Sequence, residues 1–409
     1  MRITVGFLLY PPILGTVVDT QRITRACPKP LIERFAGHIS DPVARLRFLR
    51  AVAPPPVRRT RRRVPVFVYP LLAVLAISGT FLGLETRAKP ALDPGLHAVQ
   101  NIEAAAKSGI PKMSADRVFD VWLVEKSGDV ETYSNGLRID GRFATSNHPR
   151  SYVAFPAAHP DVAVTRSEPV GIVFHTTESA QAPFEARQNG VLRRIGESLL
   201  DYVRRRRAYH FLIDRFGRVY RVVSESDAAN HAGYSVWADE KWLYINLNES
   251  FFGVSFEAQT QPGQTESAIS PAQVRGAAML TEMLRAKYRI APGNCVTHAQ
   301  VSVNPSNMRI GYHTDWASSF PYEQLALPNN YARDLPSLDV FGFEYDSGFL
   351  EKTGGRMAVG VAAAEAKLKE KAARSGLTAD AYRRALQTAY RARLEAFRQH
   401  AAGGAAESE

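Results

Sequence analysis

Cysteine is nearly absent, since the 409 residues include only Cys27 and Cys295. That count excludes a disulfide framework. Acidic residues are scarce at the front of the chain, where residues 1–63 hold 13 Lys/Arg against 3 Asp/Glu. This arm carries almost all of the net charge of +11. The basic charge is therefore local, and no nucleic-acid recognition motif accompanies it. The sequence predicts no nucleic-acid partner. No internal repeat is present either. Charge is missing altogether from Val64 to Leu84, a run of 21 residues.

A helix of about 20 apolar residues spans a bilayer core of about 30 Å. Five arginines (Arg58, Arg59, Arg61, Arg62 and Arg63) stand in front of the charge-free run, and few charges follow it. The positive-inside rule predicts a basic cytoplasmic arm over 1–63, a transmembrane anchor over 64–84 and an extracytoplasmic remainder. That topology implies a single-pass protein of the inner membrane with its main domain in the periplasm. A cleaved signal peptide is the alternative, and the sequence leaves open whether the span is retained.

Residues 85–117 read as a linker. From Val118 the pattern becomes alternating. VFDVWLVEKSGDVETYSNGLRI predicts a β-hairpin, so 118–164 is assigned to a hairpin extension. SEPVGIVFHTT is a buried strand that ends at a histidine. A helix fits Val191 to Val203, with Leu192, Ile195, Leu199 and Tyr202 on one stripe. AYHFLIDRFGRVYRVV is a second hairpin and SFFGVSFEAQ another buried strand. Ser270-Pro271-Ala272-Gln273 opens a helix with a capping box, and the strand NCVTHAQ follows. This alternation predicts an α/β domain over 165–345, a mixed central β-sheet flanked by helices. Thr378 caps a helix in a C-terminal helical extension, 346–409. Trp237, Trp242 and Trp316 either fill the core or line a groove.

The chemistry-bearing residues stand at strand ends. His175 closes GIVFH and His298 closes CVTH. Three polar ligands converging from distant segments suit a catalytic zinc, which keeps one position for water. Taken alone, each histidine also fits a satisfied core position.

Five motifs occur in a fixed order: IVFHTT, AYHFLIDRFGRVYRVV, NHAGYS, FFGVSF and VTHAQV. Together they resemble the type 2 N-acetylmuramoyl-L-alanine amidase family, which includes phage lysozyme-like amidases, AmpD-type amidases and peptidoglycan recognition proteins. The resemblance covers roughly 165–325. It implies Zn²⁺ as cofactor, with His175 and His298 as two ligands and Asp315 of YHTDW as the third. His313 falls where the family often has a lysine and competes with Asp315 for the metal. The gap from His298 to Asp315 exceeds the usual family loop. Tyr209 matches a site tyrosine suited to an oxyanion. His231 matches a histidine near the substrate groove. Ser255 occupies the place of the AmpD-type glutamate, which leaves Glu257 and Glu178 as candidate general bases. The resemblance implies peptidoglycan as substrate and hydrolysis of the amide between N-acetylmuramic acid and L-alanine. The alternative is a wall-binding module that has lost its metal.

Overall fold

The computed structural model describes residues 120–261, 263 and 268–406. The predicted arm, anchor and linker lie outside these residues. Among the described residues, no helix is long and apolar enough to cross a membrane.

Twelve strands build two sheets. They are β1 (Leu123–Ser127), β2 (Val130–Tyr133), β3 (Arg138–Asp140), β4 (Tyr152–Pro156), β5 (Val164–Arg166) and β6 (Gly171–Thr176), then β7 (Phe211–Ile213), β8 (Val219–Arg221), β9 (Val236–Ala238), β10 (Trp242–Ile245), β11 (Phe251–Phe256) and β12 (Cys295–Thr297). The main sheet has the order β1-β2-β3-β8-β7-β11-β6-β12. Its β7, β11, β6 and β12 are parallel neighbours, while β1–β2, β2–β3 and β7–β8 are antiparallel. The expected mixed sheet is present, and the hairpin from the 118–164 segment extends its edge through β3. A second, antiparallel sheet, β5-β4-β10-β9, was not legible in the sequence.

The helices are α1 (Asn189–Arg206), α2 (Leu247–Ser250), α3 (Pro271–Tyr288), α4 (His298–Val301), α5 (Pro336–Asp339), α6 (Ser347–Lys352), α7 (Ala358–Arg374) and α8 (Ala379–Ala406). Ser270 caps α3 through the expected capping box with Gln273, and Pro271 holds the first turn. Ala277, Leu280, Met283 and Leu284 of α3 pack in one cluster with Phe211, Ile213, Phe252, Val254 and Phe256 of the sheet. Each such buried Leu or Met side chain contributes about 1.5–3 kcal/mol. The DRFG turn docks on this helix, and only glycine fits there. Gly217 has φ +80°, and a Cβ would lie 2.4 Å from the Ala272 carbonyl oxygen.

Side chains alternate across a strand. Ile172, Phe174, Phe252, Val254 and Phe256 face α3, so Val173, His175, Gly253, Ser255 and Glu257 face the opposite layer, where α1 lies. Leu199, Leu200 and Val203 of α1 pack there with Leu212 and Tyr220. The expected α1 stripe needs one correction, because Tyr202 is 52% exposed and Leu200 and Val203 take the buried positions. The helix ends at Arg207 in the left-handed conformation, and its last turn meets the sheet through Val203. The C-terminal extension is a helical hairpin, α7 and α8, with Thr378 Oγ1 accepting from Ala381 N at 3.2 Å.

Candidate metal centre

In open sheets with parallel strands, ligand sites form beyond the carboxyl ends of the strands. His175 is the penultimate residue of β6 and faces α1. His298 does not end a strand as expected. It is the first residue of α4, immediately after β12, and a capping box of Thr297 and Gln300 makes the turn. Cys295, three residues earlier, is buried in the main core, and burial pushes its thiol up to about 12.

Asp315 reaches the same point from the long loop. The extra residues of that loop fold as a short hairpin, β13 (Val303–Asn304) with β14 (Arg309–Ile310), so the chain returns to the site. Trp316 then locks the turn. Its ring is fully buried against Phe256 and Phe320, and its carbonyl accepts from Tyr331 Oη at 2.6 Å.

The structure brings His175, His298 and Asp315 together, with one potential ligand atom from each all within 4.8 Å of one another. Asp315 Oδ1 lies 2.8 Å from His298 Nδ1 and Oδ2 lies 3.3 Å from His175 Nδ1. Burial opposes ionisation of Asp315, but the two imidazoles outweigh it and hold the carboxyl far below the usual range. Burial and the neighbouring His298 push His175 down to about 4, so it is neutral at pH 7. His298 Nε2 is buried without a hydrogen-bond partner among the described residues. Two imidazoles, an ionised carboxylate and an unpartnered ring nitrogen form a donor set that fits zinc.

Tyr209 sits beside this cluster, with ring centroids 5.1 Å from His175. Its φ of +61° is a conformation that costs a non-glycine residue about 1–2 kcal/mol. Burial, reinforced by Asp315, raises its phenol above the usual value, so it stays protonated and can donate. Ser255 is fully buried alongside, in register with His175. His313 stacks on His298 at 4.5 Å but stands outside the converging trio.

The remaining candidates stand around the trio rather than within it. His231 stands beside His175, with Nδ1 3.1 Å from His175 Nε2. Glu257 lies one pleat beyond Ser255, where its carboxylate accepts from Arg215 N at 3.2 Å and sits under Gly196 of α1. Glu178 is exposed and accepts from Thr260 N at 3.0 Å and Thr260 Oγ1 at 2.8 Å. Among the described residues, no hydrogen bond or ion pair joins either glutamate to the trio. Trp237 and Trp316 are core residues, and Trp242 is half-buried under Arg166.

Sequence reasoning missed two features. Asn248 Oδ1 accepts three consecutive backbone N–H groups, from His231, Ala232 and Gly233. Tyr234 and Tyr312, both about half exposed, meet edge to face, and Tyr312 touches His313. Asn248 has no local sequence signal, and Tyr234 and Tyr312 stand in NHAGYS and YHTDW, whose spacing does not show that they meet. A cavity of about 440 Å³ lined by Thr177, Tyr202, Arg206, Tyr209 and Asn230 opens beside the site. A second, of about 480 Å³, continues along α1 past Arg194 and Ser198 and shares Thr177, Leu199 and Tyr202.

Residues 165–315 match the family described as N-acetylmuramoyl-L-alanine amidase, Amidase_2. The chain is similar to N-acetylmuramoyl-L-alanine amidase AmiD of Escherichia coli (strain K12), 29% identical over 116 residues. That match covers 27% of this chain and 37% of the relative's length. Among solved structures it is similar to AmpDh3 from Pseudomonas aeruginosa in complex with anhydromuramic pentapeptide, at 21% identity and TM-score 0.29, covering 38% of this chain and 58% of that one. It is also similar to E. coli AmiD in complex with anhydro-N-acetylmuramic acid-L-Ala-D-γ-Glu-L-Lys, at 22% identity and TM-score 0.29, covering 49% and 65%. The matched segment, residues 165–315, contains His175, His298 and Asp315.

Proposed function

We propose that this chain is a zinc amidase that hydrolyses the amide between N-acetylmuramic acid and L-alanine in peptidoglycan. The convergence of His175, His298 and Asp315 within the family segment carries this reading. When bound, zinc would polarise the scissile carbonyl and lower the pKa of its water to about 7.

The protein's own groups supply the rest. Asp315 and the two imidazoles would hold the metal. Tyr209, protonated and pre-aimed, donates a hydrogen bond to the oxygen that gains negative charge. His313, exposed and stacked on His298, would exchange a proton with the departing amine. The groove along α1 would take the stem peptide, with Arg194 and Arg206 facing its carboxylates.

The experiment measures zinc content of the full-length chain and release of stem peptides from purified sacculi. The expected result is about one zinc per chain, with free peptides and intact glycan. Asp315→Ala should lose both. Zinc-loaded protein that leaves sacculi intact would overturn the amidase reading in favour of a binding module. The charge-free run 64–84 behind five arginines supports a periplasmic placement on the inner membrane. A domain that stays protected from protease in spheroplasts would contradict that placement.

A further inference from the structure

Both ring nitrogens of His231 meet polar partners of the protein. Its Nε2 lies 3.2 Å from the carbonyl oxygen of Phe251, and its Nδ1 lies 3.1 Å from His175 Nε2. A carbonyl only accepts. A neutral His231 must therefore carry its hydrogen on Nε2 and offer a lone pair at Nδ1. His175 must then donate from Nε2, which leaves the lone pair of His175 on Nδ1, the atom 3.3 Å from Asp315. The hydrogen-bond chain from Phe251 thus fixes which nitrogen of His175 faces the trio.

The backbone of His231 is held on one side and its ring on the other. Asn248 Oδ1 accepts from the backbone N–H groups of His231 at 2.8 Å, Ala232 at 2.6 Å and Gly233 at 3.2 Å. On the other side the ring lies against Gly253, where a Cβ would come within 2.5 Å of His231 Cγ. Any larger residue at that strand position would displace the ring.

We infer that His231, cradled by Asn248 and Gly253, is a positioning residue that sets the tautomer and orientation of His175 for metal binding. The inference rests on the zinc reading above but not on the substrate. Outer partners of this kind typically change metal affinity by about 10–100-fold.

The test uses the 409-residue chain, stripped of metal and reloaded with Zn²⁺. Zinc affinity is measured by chelator competition, and histidine tautomers by long-range ¹H–¹⁵N NMR of the metal-free, histidine-labelled protein. His231→Ala should bind zinc about 10–100-fold more weakly. His231→Gln should recover much of that loss, because its amide oxygen can accept the His175 N–H. Wild-type His175 should carry its hydrogen on Nε2. If His231→Ala does not fold, Asn248→Ala carries the test, since it leaves both rings intact and should also weaken zinc binding. Unchanged zinc affinity in a folded variant, or a wild-type His175 with its hydrogen on Nδ1, would overturn the inference. Zinc lost in the variant while wild-type protein leaves sacculi intact would sink the amidase reading alone.

Discussion

Two buried histidines beside the same sheet come to opposite ends. His210 has both ring nitrogens occupied by the protein. Its Nδ1 accepts from Gly253 N at 3.0 Å, and its Nε2 lies 3.0 Å from the Asp227 carbonyl oxygen and 2.9 Å from Arg150 Nη2. Arg150 closes this half, with its guanidinium donating to the carbonyls of Asp227, Glu225 and Glu249. Burial pushes that arginine down to about 10. His175 has one nitrogen satisfied by His231 and the other turned toward an ionised carboxylate. Both rings are almost completely inaccessible, at 0% and 1% exposure. Burial therefore does not distinguish a site from a core histidine. The distinguishing feature is acceptor capacity that the protein does not use.

The sharpest way to break this comparison is to delete each ring. His175→Ala should lower zinc from about one per chain to nearly none and abolish peptide release. His210→Ala should keep its zinc. It should lose about 2–4 kcal/mol of stability, because the Gly253 N–H is orphaned and a cavity opens. Metal analysis and denaturant unfolding read the two outcomes separately. A zinc-free but fully stable His210→Ala would show that the two halves are not distinct.

Tyr209 tests the open half without touching a ligand. Tyr209→Phe keeps the ring against His175 and removes only the donor. Zinc content should stay unchanged, while kcat falls about 100-fold, the scale of a lost oxyanion donor. An unchanged kcat would reassign Tyr209 to packing and place its strained backbone outside the chemistry.

What the sequence showed of these halves was whatever local periodicity encodes. GIVFH, FFGVSF and AYHFLID alternate cleanly, so their strands and buried faces were legible, as were the caps at Ser270 and Thr378. Long-range placement was not. The long gap before Asp315 gave no hint that Val303–Asn304 and Arg309–Ile310 would fold it back as a hairpin. Tyr202 lay on the periodic stripe of α1, yet it lines the groove, because the sheet meets Leu200 and Val203 instead. Asn248 has no motif, since its role comes from three N–H groups that are 15 to 17 residues away in sequence.

Glu257 decides where the open half ends. It shares a sheet face with His175 and Ser255, but its neighbours are Asp214, Arg215 and Arg218. Burial raises its carboxyl from 4.5 to about 7, against the Arg215 N–H and the two guanidinium groups. A carboxyl raised on folding contributes its stability below pH 4.5, and that contribution is lost as pH climbs toward 7, because the unfolded chain ionises first. Glu257→Gln should remove this loss. The variant should match wild type near pH 4.5 and exceed it by about 1–2 kcal/mol at pH 8, measured by urea unfolding. If the carboxyl belongs to the closed half, kcat should not move. A fall in kcat of about 100-fold or more with zinc retained would instead make it the proton carrier of the reaction and extend the open half by one pleat.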